Sequence, residues 1–154
     1  MSFLKRAIVT GVVIGISLSG CGPNLPDDLP TLIQLMNRNS ETISVDATLK
    51  VSRLYGNAGL LRALRDGLPT ARARAAFRLR DFKDGETEQA LLDVVVRDPD
   101  AFVRVQALTS LQEVGTARAI PVLQTATMDR DPDVARNARS AKRAIGDRAT
   151  SRRR

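Results

Sequence analysis

The stretch DPDAFVRVQALTSLQEVG, residues 98–115, decides how the rest of the chain is read. Val103, Ala107, Leu111 and Val114 follow each other at steps of four, four and three residues. On an α-helix those steps put four apolar side chains along one stripe. Asp98 ahead of Pro99 predicts a helix start, with a carboxylate as N-cap and a proline already fixed at helical φ. Gly115 falls just past the stripe, where a left-handed C-terminal residue costs least.

The same steps recur on both sides of this stretch. Ala71, Ala75, Leu79 and Phe82 repeat them, as do Ile43, Ala47, Val51 and Leu54. Val134, Ala138, Lys142 and Ile145 keep the spacing but place a lysine in the stripe, as expected of a partly covered end helix. RDGLPTARARAAFRL (65–79) aligns without a gap on RDPDAFVRVQALTSL (97–111), and a third copy begins with RDPDVARNA at Arg130. Stripes starting at 43, 71, 103 and 134 give a period near 30, the mark of stacked helix pairs.

Second helices are predicted between the stripes, over 57–66, 86–97 and 116–128. Their apolar residues are Leu60, Leu61 and Leu64, then Leu91, Leu92 and Val95, then Ile120, Leu123 and Ala126. Gly56, Gly85, Gly115 and Gly146 are read as C-terminal stops, by the same argument as at Gly115. Residues 42–52 alternate apolar and polar, which is also a strand signature. Helix is favoured there because the stripe spacing recurs and an isolated strand has no partner. A short helix over 31–37 would cap the stack. The predicted fold is all-α, a short α-solenoid of helical hairpins over residues 31–147.

Residues 98–115 resemble the HEAT-type repeat in its short, lyase-type bacterial form. The likeness rests on Asp98, Pro99, Asp100, the Val103–Arg104 pair, Ala107, Leu111 and Gly115. Residues 69–85 are similar more loosely, with Ala71–Arg72 for Val–Arg, and the last copy has Val134–Ala135 and so lacks the arginine. The resemblance implies a solenoid used as a scaffold or binding surface. It does not by itself carry a function.

The amino terminus carries a different signal. Lys5 and Arg6 precede a 13-residue apolar segment, Ala7 to Ser19. A permanent transmembrane helix needs about 20 apolar residues, so the segment is read as a cleavable export signal over residues 1–20. Leu18, Ser19, Gly20 and Cys21 resemble the lipobox of bacterial lipoproteins. That resemblance implies that Cys21 is lipidated and becomes the first residue of the mature chain, on a Pro-rich linker over 21–30. It further implies a protein held in the bacterial cell envelope by acyl chains such as palmitate. Gly22 after the cysteine favours the outer membrane, facing the periplasm, where the organism has two membranes.

Composition narrows the chemistry. The 154-residue chain has no histidine and one cysteine, which removes most metal sites and His-assisted catalysis. No metal, cofactor or catalytic residue is assigned, and a non-enzymatic role is expected. A lyase-type activity would need a pocket of clustered polar residues, for which the sequence shows no pattern. The formal net charge of +7 is carried largely by arginines, from which two groups of candidate binding residues are taken. Arg65, Arg97 and Arg130, at the ends of successive second helices, would form a ladder for an acidic partner, unless each only satisfies its helix terminus. Arg136, Arg139 and Arg143 share the outer face of the last helix, and residues 148–154 form a basic tail. These offer an alternative role as an electrostatic binder of an anionic membrane or polymer. Arg72, Arg74, Arg78 and Arg80 are read as solvated. Nucleic acid is not expected, since export and the lack of aromatics among the arginines argue against base stacking. The favoured function is an adaptor that binds another envelope protein through the repeat surface.

Overall fold

The structure is a computed structural model that describes residues 25–151. Seven α-helices run along these residues, α1 (Leu29–Met36), α2 (Glu41–Asp66), α3 (Pro69–Arg78), α4 (Gly85–Arg97), α5 (Ala101–Val114), α6 (Ile120–Ala126) and α7 (Pro132–Ser151). Two 3-10 turns, Leu79–Asp81 and Ala117–Ala119, follow α3 and precede α6, and no strand occurs among the described residues. The expected all-α solenoid is the fold.

Helix α2 is two helical arms joined at Gly56, whose φ of 60° and ψ of −147° lie outside helical space. A residue with a Cβ is strained in that region, so glycine is what lets the chain turn between arms. Residues 42–52 lie in the first arm and are helical. The second arm, 57–66, begins the row of second helices that α4 and α6 continue. The row of first helices stacks directly, α3 on α5 and α5 on α7, while α4 lies against α5 and α6 against α7.

The stripes face inward along this stack. Ala71, Ala75, Leu79, Val103, Ala107, Leu111, Val134, Ala138 and Ile145 are all buried, and Lys142 is half-buried with its Nζ donating to Gln124 Oε1 at 2.5 Å. Leu54 departs from the pattern at 49% exposure, because the helix breaks two residues later and its face no longer meets a neighbour. Buried polar groups tie the layers. Ser110 Oγ donates to the Ala76 carbonyl at 2.7 Å, joining α5 to α3, and the buried Glu88 carboxylate accepts from the Thr116 N–H at 2.7 Å.

Several predicted boundaries move. Asp100, not Asp98, caps α5, accepting from the N–H groups of Phe102 and Val103 at 2.9 and 3.2 Å, and Pro99 lies outside the helix. In α7 the expected arrangement does occur, with Asp131 accepting from Asp133 and Val134 at 2.9 and 3.1 Å ahead of Pro132. The two RDPD strings are therefore two residues out of structural register. Gly115 has φ −63° and is not left-handed. Its requirement is space, since a Cβ there would lie 2.6 Å from both Ile145 Cδ1 and the Leu111 carbonyl oxygen. Gly85 opens α4 and Gly146 lies inside α7, so neither is a C-terminal stop. The helix expected over 116–128 is split into the 3-10 turn and the short α6.

Both ends of the solenoid extend further than expected. Leu25 is buried, Lys50 Nζ pairs with Asp27 at 2.7 Å, and Tyr55 Oη donates to the Asp27 carbonyl at 2.5 Å. Residues 25–28 of the expected linker thus lie against α2, and Asp28 caps α1 through the Thr31 N–H at 2.9 Å. At the other end Arg148 belongs to α7 and donates to the carbonyls of Gln112 and Gly115, closing the C-terminus of α5. The part of the expected basic tail up to Ser151 is helix.

Candidate binding face

Two arginine–aspartate pairs set the spacing between repeats. Arg72 on α3 donates through Nε and Nη2 to both oxygens of Asp98 at 2.8 and 2.9 Å, and through Nη1 to the Gly67 carbonyl. Arg104 on α5 makes the same fork to Asp129 at 3.1 and 3.0 Å and reaches the carbonyls of Asp98 and Pro99 with Nη1. Each guanidinium thus spans from a first helix to the loop that enters the next repeat. Bidentate, charge-assisted bonds of this kind fix geometry as well as adding energy. Asp98 and Asp129 also accept from the N–H two residues on, in Asp100 and Asp131, which orients the carboxylates before the arginines meet them.

The electrostatics follow from those contacts. The hydrogen bond to Asp98 raises the Arg72 pKa further above its already high ordinary value, against the opposing effect of burial. At Asp129 burial pushes the carboxyl upward, but the Asp131 N–H and the Arg104 guanidinium outweigh it and hold it below the usual carboxylate range. Arg72 is therefore not the solvated residue expected.

Arg65 and Arg97 stand apart from this scheme, and Arg130 enters it only through its charge, which helps to lower the Asp129 carboxyl. All three are exposed, and they form no ion pair among the described residues. Carbonyls at the repeat boundaries are instead met by Arg72, Arg104, Arg139 and Arg148. Arg65 and Arg97 line one hollow of about 470 Å³ with Leu61, Leu64, Asp93 and Pro99. Arg130 lines the next, of about 340 Å³, with Val96, Asp98 and Pro99. A third hollow of about 610 Å³ continues from Val96 and Asp129 to Val122 and Met128. Shared residues make the three one connected surface.

Val96, 64% exposed, and Met128, 85% exposed, stand on this surface and were not singled out by the stripe spacing. Their signal is positional: Leu64, Val96 and Met128 recur 32 residues apart, one or two places before Arg65, Arg97 and Arg130. On α7, Arg136, Arg139 and Arg143 are exposed while Val134, Ala138 and Ile145 point inward. Arg136 is paired with Asp133 at 2.6 Å and Arg139 donates to the Thr127 carbonyl at 3.3 Å. Leu18, Ser19, Gly20 and Cys21 lie outside the described residues. Asp98 and Asp100 are both occupied by structural bonds, and among the described residues no group of three or more metal-ligating side chains comes together.

A family described as HEAT repeats matches residues 57–142. The chain belongs to the HEAT-repeat family. Among solved structures, the HEAT repeats here are similar to the designed armadillo repeat protein YIII(Dq.V1)4CPAF in complex with peptide (KR)4, at 16% identity and TM-score 0.51. That match covers 76% of this chain and 64% of the designed one. Another designed armadillo repeat protein, YIII(Dq)4CqI, is 19% identical over the same shares of each chain with a TM-score of 0.46. The chain thus spans less than two thirds of the length of these neighbours. A search of curated proteins finds no match. At such identities the likeness speaks for the fold alone, a stack of helical repeats.

Proposed function

We propose that this HEAT-repeat protein is a lipid-anchored adaptor of the bacterial envelope that binds another protein through its row of second helices, without catalysis of its own. The observation that carries the reading is a connected, uncovered surface holding Val96, Met128 and exposed arginines on a frame locked by buried arginine–aspartate pairs. Rigid display of a few apolar and charged groups suits recognition of a partner, because little ordering is left to be done on binding. The peptide-bound state of one designed armadillo neighbour supports a polypeptide as the class of partner.

Anchoring rests on Leu18–Ser19–Gly20–Cys21 and on the apolar segment before them. With Cys21 acylated, the linkage to the bilayer is effectively permanent, since each buried methylene contributes about 0.8 kcal/mol. Leu25 is already docked on the solenoid, so four peptide units separate lipid from folded body, a reach of at most about 14 Å. The α1 end would sit at the bilayer and α7 at the far end of the stack. That arrangement raises the effective concentration of the face toward partners in the same membrane. It also turns the α7 arginines away from the anchored surface, which favours the adaptor over a role in gripping anionic lipid. Outer-membrane placement follows from Gly22 where two membranes exist.

Membrane fractionation of Cys21→Ala with labelled fatty acid tests the anchor: the variant loses label and leaves the membrane, and retention in the membrane would refute it. A photoreactive amino acid at position 128 in cells tests the adaptor. It should join to a discrete envelope protein, and the absence of any protein adduct would refute that role.

A further inference from the structure

Most of the acidic charge on the candidate face is already balanced. Asp98 and Asp129 are matched by Arg72 and Arg104 and Asp66 by Arg62, while Asp93, bonded only to the neutral Gln89 amide, keeps its charge beside Arg65 and Arg97. Arg65, Arg97 and Arg130 remain as outward cations at one per repeat, each beside an apolar residue of the Leu64, Val96 and Met128 series. At the boundary after α4 the carbonyls of Asp98 and Pro99 are met by Arg104, which leaves the Arg97 guanidinium free to face a partner. A basic row of three, with Val96 and Met128 exposed beside its last two members while Leu64 is buried, therefore runs along the same row of helices.

We infer that this face takes an extended acidic segment of the partner, with carboxylates meeting Arg65, Arg97 and Arg130 and apolar side chains entering the hollows at Val96 and Met128. This deepens the adaptor reading and rests on it. Packed helices lie about 8–10 Å apart, so the rungs repeat at roughly that pitch. A chain in the extended polyproline II form rises about 3.1 Å per residue with three residues per turn, so side chains three apart return to the same side at about the pitch of the rungs. The segment so specified carries Asp or Glu at about every third position with aliphatic residues between. Arginine, with its planar fork, suits carboxylates better than lysine would. A basic segment would meet like charge on all three rungs, and an all-apolar one would leave the guanidiniums desolvated without acceptors.

The test uses the full acylated chain in a neutral detergent and a fluorescent synthetic peptide of repeating Glu-Leu-Ser units, read by anisotropy. Saturable binding is expected, and Arg97→Glu should weaken it about tenfold or more by exchanging an attraction for a repulsion. Met128→Ser should weaken it without changing its salt dependence. Arg143→Glu on α7 should leave it unchanged, and circular dichroism should report an intact fold for each exposed-site variant. Equal binding of a Lys-Leu-Ser peptide, no binding of the acidic one, or the same loss in Arg143→Glu would overturn the inference. So would heparin or phosphatidylglycerol vesicles competing as strongly as the unlabelled peptide, since the face would then be a general anion surface. Failure of the adaptor reading itself looks different, as no protein adduct at position 128 in cells. An adduct that survives charge reversal at Arg65, Arg97 and Arg130 leaves the adaptor standing and removes the acidic segment.

Discussion

Removal of the Asp129 carboxylate should unsettle the solenoid more than any surface substitution. The Arg104 side chain is 8% exposed and Asp129 17%, so the guanidinium of Asp129→Ala stays inside the protein with two carbonyls and no counter-charge. Breaking a buried pair from one side costs about 3–5 kcal/mol. The surviving bonds to Asp98 and Pro99 pull toward the lower figure, while the Asp131 N–H, which loses its acceptor at 2.9 Å, adds about 1 kcal/mol. A loss of about 4 kcal/mol is expected, a large share of the ~5–15 kcal/mol typical of a domain. In Tm that is roughly 10–20 °C for a chain of this size. Far-ultraviolet circular dichroism during urea and heat unfolding is the assay, since the chain has no tryptophan and one tyrosine. The double variant Arg104→Met, Asp129→Ala removes the stranded charge and should recover much of the loss. A single-variant loss below about 1 kcal/mol, the scale of a solvent-screened surface pair, would refute the reasoning. A double variant no more stable than Asp129→Ala would refute it equally.

Three further perturbations follow from local geometry. Gly115→Ala forces a Cβ to within 2.6 Å of Ile145 Cδ1 and of the Leu111 carbonyl oxygen, and should cost about 1–3 kcal/mol in urea unfolding. Ile145→Val in the same chain should restore only part, because the carbonyl contact remains. Gly56→Ala meets open space but keeps φ 60°, so a loss of about 1–3 kcal/mol there measures strain between the arms of α2 without any clash. Acid should loosen the cap of α4 and the repeat boundary at Asp129. The Thr87 N–H lowers the Asp84 carboxyl, and the Asp131 N–H with Arg104 lowers that of Asp129 despite its burial. Groups depressed in the folded state stabilise fully above their unfolded value near 4 and lose that contribution as pH falls through the folded one. The urea midpoint should therefore drop below about pH 4, and Asp129→Asn, weaker at neutral pH, should show a shallower fall.

The parts of this fold written in local spacing were legible in the sequence. Ala71, Ala75 and Leu79, or Val103, Ala107 and Leu111, need only the helical period to find a common face, and all six are buried. The roles of Asp98 and Arg72 were not legible in the same way. Their bond joins positions 26 residues apart, while the neighbouring Pro99 makes Asp98 look like a cap. The identical string at 130–133 does place its first aspartate, Asp131, at a cap, so composition alone points both aspartates to one role. The correspondence that holds in space is Asp98 with Asp129 and Asp100 with Asp131. Gly115 shows the same limit, since its neighbour Ile145 comes from another repeat. On the candidate face, the arginine spacing was legible from position, but exposure of Val96 and Met128 depends on where α4 and α6 end.

One residue type therefore serves two ends, and what separates them is the distance to the next loop. Arg72 and Arg104 sit one place after the first buried residue of their stripes and reach across to the following repeat, where an aspartate is already oriented by its own backbone. Arg65, Arg97 and Arg130 sit at or just past the ends of second helices and face outward. The inner set fixes the pitch at which the outer set is displayed. A partner that reads charges at a repeating interval gains from that interval being held in place, because a frame already formed leaves less ordering to be done on binding. Loosening one buried pair, as in Asp129→Ala at a temperature where the chain is still folded, should then weaken binding of the acidic peptide even though Asp129 is not itself a rung.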